Sequence, residues 1–297
     1  MRLSAVLLFS PAIALSIVAV LYPLATSIYI SLHDLDTTGS GWIFVGLKHY
    51  NEMLLNRFFY QSLMISVVYT VLSVFSSLLL GVLTALLLRQ LVRGHRFVET
   101  LFMIPLAVSP ILGGIVWSPP AVWDDLNSFI HYAFRLPFID VTDPVIYFPI
   151  MVLSEAWLWS PLFMLATLVI LEGFPKDGLE AAEAMGASSR HILTMLYLPA
   201  VFRSRVIAML VALKSVDFFR SFEIPFAWSF WVRESQLGAP TDTLSLMLFK
   251  MLLTPSTGSG IPISYISAVS TALMAVSLVV SLLIYRQLAR IWGGVMG

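Results

Sequence analysis

Long apolar segments constrain the fold of this sequence more than any other feature. A helix needs about 20 consecutive, mainly apolar residues to cross the hydrocarbon core of a membrane. The sequence is 59% hydrophobic and 11% charged over its 297 residues, which is typical of a membrane protein. We therefore predict an all-α integral membrane protein with one domain over residues 1–297 and six transmembrane helices: Leu3–Leu32, Phe59–Leu88, Phe97–Trp117, Val145–Leu171, Val206–Trp231 and Ile263–Tyr285.

The first apolar segment could be a retained transmembrane helix or a cleaved signal peptide. Arg2 precedes it, and no charge occurs from Leu3 to Leu32. A signal peptide has a shorter apolar core and a small-residue cleavage site. We therefore expect this segment to stay in the protein as its first span.

Basic residues set the expected orientation, because lysine and arginine are enriched in cytoplasmic loops. With both termini in the cytoplasm, the inner segments carry Arg2, Arg89, Arg93, Arg96, Lys176, Arg190, Arg203, Arg205, Arg286 and Arg290. The outer segments then carry Lys48, Arg57, Arg135, Arg233 and Lys250. This imbalance predicts that both termini are cytoplasmic, together with the loop between spans four and five.

The loop over residues 174–199 is polar enough to lie outside the membrane. Asp177 is a candidate N-cap, and Glu180 three residues later completes a capping-box pattern. A ridge of small or flexible side chains follows, and Gly186 is suited to end the helix. The ridge consists of Ala181, Ala182, Ala184 and Met185.

A second short helix is expected after Gly186. Ser188 or Ser189 can cap its N-terminus, and Pro199 is expected to end it. The loop is therefore predicted to be a helix–turn–helix that presents a shallow alanine ridge to a partner. The alternative is an ordinary amphipathic loop helix on the membrane surface.

Four charges recur every third residue inside the fifth predicted span, at Lys214, Asp217, Arg220 and Glu223. Each costs about 2.5–3.5 kcal/mol near the bilayer centre, so exposure to lipid without a partner is excluded. They either line a solute path or form an ion-pair ladder against a partner subunit. Glu155 in span four is a further candidate, and the ring of Phe222 could stack on a cyclic solute.

Several kinds of chemistry have no signature in the sequence. No glycine precedes a lysine as a phosphate-binding P-loop requires, so we expect no ATPase activity. The chain has no cysteine, its five histidines form no ligand cluster, and its net charge is zero. We therefore expect no metal site, no nucleic-acid partner and no enzyme active site.

The loop resembles the EAA signature of permease subunits of binding-protein-dependent ABC importers. The matching residues are Glu180-Ala181-Ala182, Gly186, Leu196 and Leu198-Pro199. The segments 44–50 and 97–117, with Gly238-Ala239-Pro240, are similar to the maltose-type, carbohydrate-importing branch. Met185 stands where that family usually has aspartate.

This resemblance implies a division of labour. Two homologous permease subunits would form the path for a sugar or polyol, and two ATPase subunits would bind ATP and Mg²⁺. An extracytoplasmic solute-binding protein would deliver the solute to the inner membrane of a prokaryote. The coupling helix that contacts the ATPase would include Glu180, Ala181, Ala182, Met185 and Gly186.

Two other functions are compatible with a bundle of spans. A stand-alone secondary transporter or channel would use the span-five charges as an ion relay. A membrane scaffold would leave those charges without a use. A sugar, polyol or glycerol-3-phosphate remains open as the solute.

Overall fold

The computed structural model describes residues 2–35, 41–90, 95–231, 241–253 and 263–293, and most of them are helical. The segment 238–240 lies outside the described residues. The first elements are α1 Arg2–Ser31, an antiparallel hairpin of β1 His33–Leu35 and β2 Trp42–Phe44, α2 Lys48–Leu55 and α3 Arg57–Gln90. They are followed by α4 His95–Phe102, a 3-10 turn at Ile104–Ala107, α5 Pro110–Val116, a π-turn at Pro119–Trp123 and α6 Asp124–Phe134.

The second half begins with α7 Pro144–Glu172, whose N-cap Asp143 accepts a hydrogen bond from the backbone N–H of Val145. The loop that follows contains α8 Lys176–Ala184, α9 Ser189–Ile192, a π-turn at Leu193–Tyr197 and α10 Leu198–Phe202. The remaining elements are α11 Arg205–Phe219, α12 Glu223–Ser229, α13 Leu244–Leu253 and α14 Ile263–Gly293.

Three stretches are long and apolar enough to cross a membrane: Arg57–Arg89, Pro144–Glu172 and Ile263–Leu283. Two bent pairs raise the number to five if each pair forms one span. The described apolar part of α1, Leu15–Ser31, is shorter. The described residues therefore contain three to five candidate spans, and six spans stay a prediction.

The third predicted span, 97–117, is not one straight helix. Its two parts, Phe97–Ala107 and Pro110–Val116, meet at an angle of 102°. Val108 and Ser109 adopt extended backbone angles between them. Pro110 contributes to this bend, because proline lacks a backbone N–H and disfavours helical geometry in the residue before it.

The fifth predicted span, 206–231, is also interrupted. Helix α11 ends at Phe219, and α12 begins at Glu223. The ring of Pro225 would collide with the carbonyl group of Ser221 in a continuous helix, since proline clashes with the residue four positions earlier. The four regularly spaced charges were predicted to lie on one helix, and this interruption shows that they do not.

Helices α3 and α7 pack along each other at the centre of the fold. At Gly81 the two approach so closely that a Cβ atom would lie 2.5 Å from Cβ of Phe163 and 2.7 Å from the carbonyl oxygen of Ser160. Small residues at such positions allow helices to approach closely within a membrane. Helix α1 packs against α14, and α5 packs against α12.

Candidate functional site

The loop over residues 174–199, which we call the EAA loop, presents an exposed helix. Among the described side chains of α8 none is buried, and Met185 directly after it is 83% exposed. Glu180 and Ala181 are exposed, while Ala182 is half-buried. An exposed helix of this kind contributes little to the chain's own core.

Gly186 ends α8 in a fixed way. Its φ of +89° lies in the left-handed region that favours glycine. Its N–H donates to the carbonyl of Glu183 at 2.9 Å, and the N–H of Ala187 donates to the carbonyl of Ala182 at 3.0 Å. These two bonds form a Schellman motif, which confirms Gly186 as the helix stop.

The predicted N-terminal cap of α8 was wrong. Pro175 occupies the N-cap position without a side-chain hydrogen bond, and Asp177 lies inside the first turn. Asp177 cannot be the N-cap because the helix already begins at Lys176, directly after Pro175 in extended geometry. Asp177 still favours the helix through its charge at the positive end of the helix dipole.

The second helix of the loop starts as predicted but does not end at Pro199. Ser188 Oγ accepts a hydrogen bond from the N–H of His191 at 3.3 Å. Pro199 is the second residue of α10, which continues to Phe202. The π-turn before it has Leu198 N–H bonded to the carbonyl of Leu193, five residues back. This wider turn accommodates the proline, which donates no hydrogen bond of its own.

Arg89 anchors the loop to two long helices. Its guanidinium donates a hydrogen bond to the backbone carbonyl of Leu171, near the end of α7. The same group lies 4.5 Å from the ring centroid of Tyr197, which contacts Phe174 edge-on at 5.5 Å. A cation at the last carbonyl groups of a helix complements the helix dipole. The loop is therefore attached to the ends of α3 and α7.

A cavity of about 900 Å³ brings the other candidate residues together. Five of its lining residues are charged: Glu155, Lys214, Asp217, Arg220 and Glu223. The remaining lining residues are Pro110, Trp159, Met209, Leu210, Ala212, Leu213, Val216, Ser221 and Ser281. The four charges that recur every third residue in the sequence, together with Glu155, thus surround a space at the break between α11 and α12.

Glu155 is 3% exposed and its carboxylate is fully hydrogen-bonded by the protein. One oxygen accepts from the hydroxyl of Tyr69 at 2.6 Å and from that of Ser221 at 3.2 Å. The other oxygen accepts from the indole N–H of Trp159 at 3.2 Å. Burial of a carboxylate is costly unless such partners are present. The network joins α3 and α7 to the helix break.

The four charges of the fifth segment differ in their surroundings. Lys214 is buried, lies over the ring of Trp159 and forms an ion pair with Asp217 at 2.6 Å. Asp217 is exposed on its other side. Arg220 and Glu223 are exposed and form no ion pair with each other within the described part of the chain. Of the expected ion pairs, Lys214–Asp217 is therefore present, and Arg220–Glu223 is absent from the described residues.

Aromatic residues near the cavity serve mainly in packing. The ring of Phe222 stacks on Phe226 at 4.9 Å and contacts Phe249 at 5.0 Å. Phe218 and Trp228 are buried. The ring of Phe222 is thus engaged by other phenylalanine rings.

The hydrogen-bond partners of Glu155 were not predicted from the sequence. Tyr69 lies 86 positions earlier, and neither it nor Ser221 has a local pattern that signals the contact. Trp159 could have been found, because it is four residues after Glu155 on the same helix face. A further ion pair, between the buried Asp242 and Lys250 at 2.6 Å, was not predicted either.

No protein-family model matches the sequence. Several curated proteins are nevertheless similar to it. The trehalose transport system permease protein SugA of Mycobacterium tuberculosis is 27% identical over 223 residues, which cover 75% of this chain and 71% of that protein. The trehalose/maltose transport system permease protein MalF of Thermococcus litoralis is 26% identical over 267 residues, with coverages of 89% and 88%.

A third relative is named for a different solute. The sn-glycerol-3-phosphate transport system permease protein UgpA of Agrobacterium fabrum is 28% identical over 198 residues, with coverages of 64% and 66%. All three are named as permease proteins of transport systems.

The fold also matches a solved transporter. A chain in the crystal structure of a bacterial ABC transporter involved in the import of the acidic polysaccharide alginate superposes with a TM-score of 0.74 at 18% identity. The match covers 98% of this chain and 96% of that one. A chain in the crystal structure of a bacterial alginate ABC transporter in complex with an alginate pentasaccharide-bound periplasmic protein also superposes with a TM-score of 0.74, at 18% identity. The relatives and the shared fold together confirm the resemblance of this chain to the permease subunits of ABC importers for sugars and related solutes.

Proposed function

We propose that this chain is the transmembrane permease subunit of an ATP-driven ABC importer for a sugar or polyol. The exposed helix α8, closed by the Schellman motif at Gly186, is the observation that carries the proposal. None of the described side chains of α8 is buried, so the helix adds little to the packing of the described part of the chain. It fits a surface that a separate ATPase subunit grips.

The attachment of the loop supports a mechanical role for this helix. Arg89 and Tyr197 connect the loop to the ends of α3 and α7. The same two helices are joined deeper in the fold by the Tyr69–Glu155 hydrogen bond. A displacement of α8 would thereby pass to α7, which lines the cavity through Glu155 and Trp159, and to α3, which is hydrogen-bonded to α7.

We propose the charged cavity as this subunit's half of the solute path. Asp217, Arg220 and Glu223 are exposed, so they have hydrogen-bonding capacity left for solute hydroxyl groups. Lys214 holds Asp217 in place through their ion pair. Glu155 lines the same space but has three protein donors, which favours a supporting role for it over direct contact.

The proposal includes a set of partners and an orientation. A second homologous permease subunit would complete the path, two ATPase subunits would bind ATP and Mg²⁺, and an extracytoplasmic binding protein would deliver the solute. Both termini and the EAA loop would face the cytoplasm of a prokaryote, with the chain in its inner membrane. The excess of basic residues in the inner segments supports this orientation.

A double substitution, one in α8 and one at the glycine that follows it, tests the coupling role. Glu180→Lys together with Gly186→Asp is expected to leave the protein in the membrane but to abolish both retention of the ATPase in pull-downs and ATP-driven uptake. Asp125→Lys on α6 is the matched control and should leave both unchanged. Normal ATPase retention and uptake in the α8 variant would refute the coupling role.

Glu223→Gln tests the path. Its carboxylate has no ion pair within the described residues, so its loss should weaken solute uptake without affecting assembly with the ATPase. Losing one charge-assisted hydrogen bond costs about 1.5–3 kcal/mol, or roughly tenfold or more in apparent affinity. Asp217→Asn, in contrast, leaves the buried Lys214 without its partner and should also impair assembly. Unchanged uptake by Glu223→Gln would exclude its place in the path.

Reconstitution separates this proposal from ion-coupled transport. Uptake into proteoliposomes should require ATP and the ATPase, and it should persist when ion gradients are collapsed. Uptake driven by an ion gradient alone would favour the secondary transporter, which the named relatives do not favour.

A further inference from the structure

Helix α6 has an apolar face that the chain does not cover. Leu126, Phe129, Ile130 and Ala133 follow the i, i+3, i+4, i+7 spacing that places residues on one side of a helix. We refer to these four residues as the α6 stripe. Phe129 is 62% exposed and Leu126 is 36% exposed, and no described residue of α6 is buried.

The opposite face of α6 is held by the chain's own loop. The Asn127 side chain donates to the carbonyl of Ile139 at 2.6 Å and accepts from the N–H of the same residue at 2.9 Å. The ring of His131 contacts the carbonyl of Leu136 at 2.8 Å and stacks on Phe138 at 4.4 Å. The loop therefore fixes the rotation of α6 and turns the stripe away from it.

The same hydrogen bonds fix the level of α6 relative to the membrane. Ile139 is five residues before Pro144, the first residue of the long apolar helix α7. Five residues span at most about 18 Å, so α6 is tethered close to the end of α7. Helix α6 precedes α7 and the EAA loop follows it, so the two lie on opposite faces if α7 crosses the membrane.

The apolar surface continues on both sides of the stripe. Val122 before the helix is 38% exposed, and Leu136 and Phe138 after it are 52% and 58% exposed. Val145, in the first turn of α7, is 79% exposed. Exposed apolar side chains thus occur along the chain from α6 to the first turn of α7.

We propose that α6 lies in the plane of the bilayer interface, on the face opposite the EAA loop, with its stripe in the acyl chains of the lipid. Amphipathic helices of this type bury the apolar face by about 5–10 Å at the headgroup boundary. Phe129 in the stripe and the exposed Phe134 at the end of the helix supply the bulky rings that favour this position. The helix would thereby fix the height of the nearby end of α7.

Attraction by anionic headgroups contributes little to this placement. Asp124 and Asp125 begin the helix, and Arg135 is the sole lysine or arginine between residues 124 and 143. The proposal therefore depends on apolar burial and predicts equal insertion into zwitterionic and anionic bilayers.

Site-directed spin labelling tests the proposal directly, because the natural sequence contains no cysteine to remove. Single cysteines would replace Phe129 and Leu126 in the stripe and Ser128 on the other face, which lies about 150° around the helix from the stripe. The full transporter is reconstituted in lipid nanodiscs. Accessibility of each nitroxide is measured to oxygen, which partitions into lipid, and to a water-soluble nickel chelate.

The expected result is high oxygen and low nickel accessibility at Phe129 and Leu126, with the preference reversed at Ser128. The pattern should be the same in zwitterionic and anionic nanodiscs. A stripe accessible to nickel would place it in water and overturn the proposal. Low accessibility to both reagents at Phe129 would show a covering protein partner instead, and a preference for oxygen confined to anionic lipid would contradict the apolar basis.

Discussion

The guanidinium of Arg89, near the end of α3, lies 4.5 Å from the ring centroid of Tyr197 in the second helical stretch of the EAA loop. Because the same group donates to the carbonyl of Leu171, one side chain joins α3, α7 and the loop. Cation–π contact and a charged hydrogen bond act on the same cation, so replacement of Arg89 should release the loop from both helices.

Arg89→Gln is expected to loosen residues 193–202. Loss of a hydrogen bond to a charged group costs about 1.5–3 kcal/mol, which corresponds to roughly tenfold or more in local opening. Hydrogen exchange of the backbone over this stretch measures the effect. Arg203→Gln is the control, since Arg203 is exposed and outside these contacts. Equal protection in the two variants would show that Arg89 does not hold the loop.

Gly186→Ala should destabilise the end of α8 by about 1–2 kcal/mol, the cost of left-handed backbone geometry for a residue with a Cβ. The cost is conformational, because no atom lies within 4 Å of the position of the new Cβ. Gly178→Ala, within α8, should instead stabilise the helix by up to about 1 kcal/mol. Exchange protection over 176–187 and binding of the ATPase should fall in the first variant and be kept in the second. Unchanged exchange protection in Gly186→Ala would contradict the role of Gly186 as the helix stop.

The neutral substitution Glu155→Gln should be tolerated far better than Glu155→Leu. The amide oxygen can accept from Trp159, while its NH₂ donates to the hydroxyls of Tyr69 and Ser221, which both donate and accept. Leucine leaves the Tyr69 and Trp159 donors unpaired, at about 1–3 kcal/mol each. Melting temperatures of the purified protein compare the variants. Similar losses in both would mean that the charge itself is required.

Asp34 makes the hairpin contact with α2 dependent on pH. Its carboxylate accepts from Nζ of Lys48 at 2.8 Å and contacts Nε2 of the buried His49 at 2.7 Å. The hydrogen bond from Lys48 holds the pKa of Asp34 below its ordinary value of 3.8. Because the folded-state pKa is the lower one, this stabilisation is present above the unfolded-state value and is lost as pH falls through the folded-state value.

The difference in melting temperature between the natural protein and Asp34→Asn measures this effect. It should be largest above about pH 5 and shrink steadily toward pH 3, as protonation removes the charge. The contribution is expected to be about 1 kcal/mol or less, since Lys48 is 52% exposed and water screens the pair. A difference that grows on acidification would have the wrong sign.

The long helices were predictable from the sequence, because their apolar runs exceed the length of ordinary helices in soluble proteins. Helix α7, Pro144–Glu172, covers the whole predicted range 145–171. The interruptions at residues 108–109 and 220–222 were not predicted. Prolines are tolerated in membrane helices when neighbours satisfy the freed backbone groups, so proline alone does not reveal which helices break.

The candidate site was predictable only in its local parts. The Gly186 stop and the Ser188 cap depend on residues within a few positions, and local patterns record them. The Tyr69–Glu155 contact joins residues 86 positions apart, which no periodicity encodes. The spacing of Arg220 and Glu223 also predicted an ion pair wrongly, because α11 ends at Phe219, before both residues.

The closed end of α8 has a consequence for the thermodynamics of assembly. Ordering the backbone of one flexible residue costs about 1–2 kcal/mol, so a nine-residue loop that folded on contact would spend most of its interaction energy on ordering. The Schellman bonds at Gly186 hold the turn of α8 in shape before any partner arrives. A protein that docks there meets a preformed surface, and small contact areas can then suffice for firm yet reversible association.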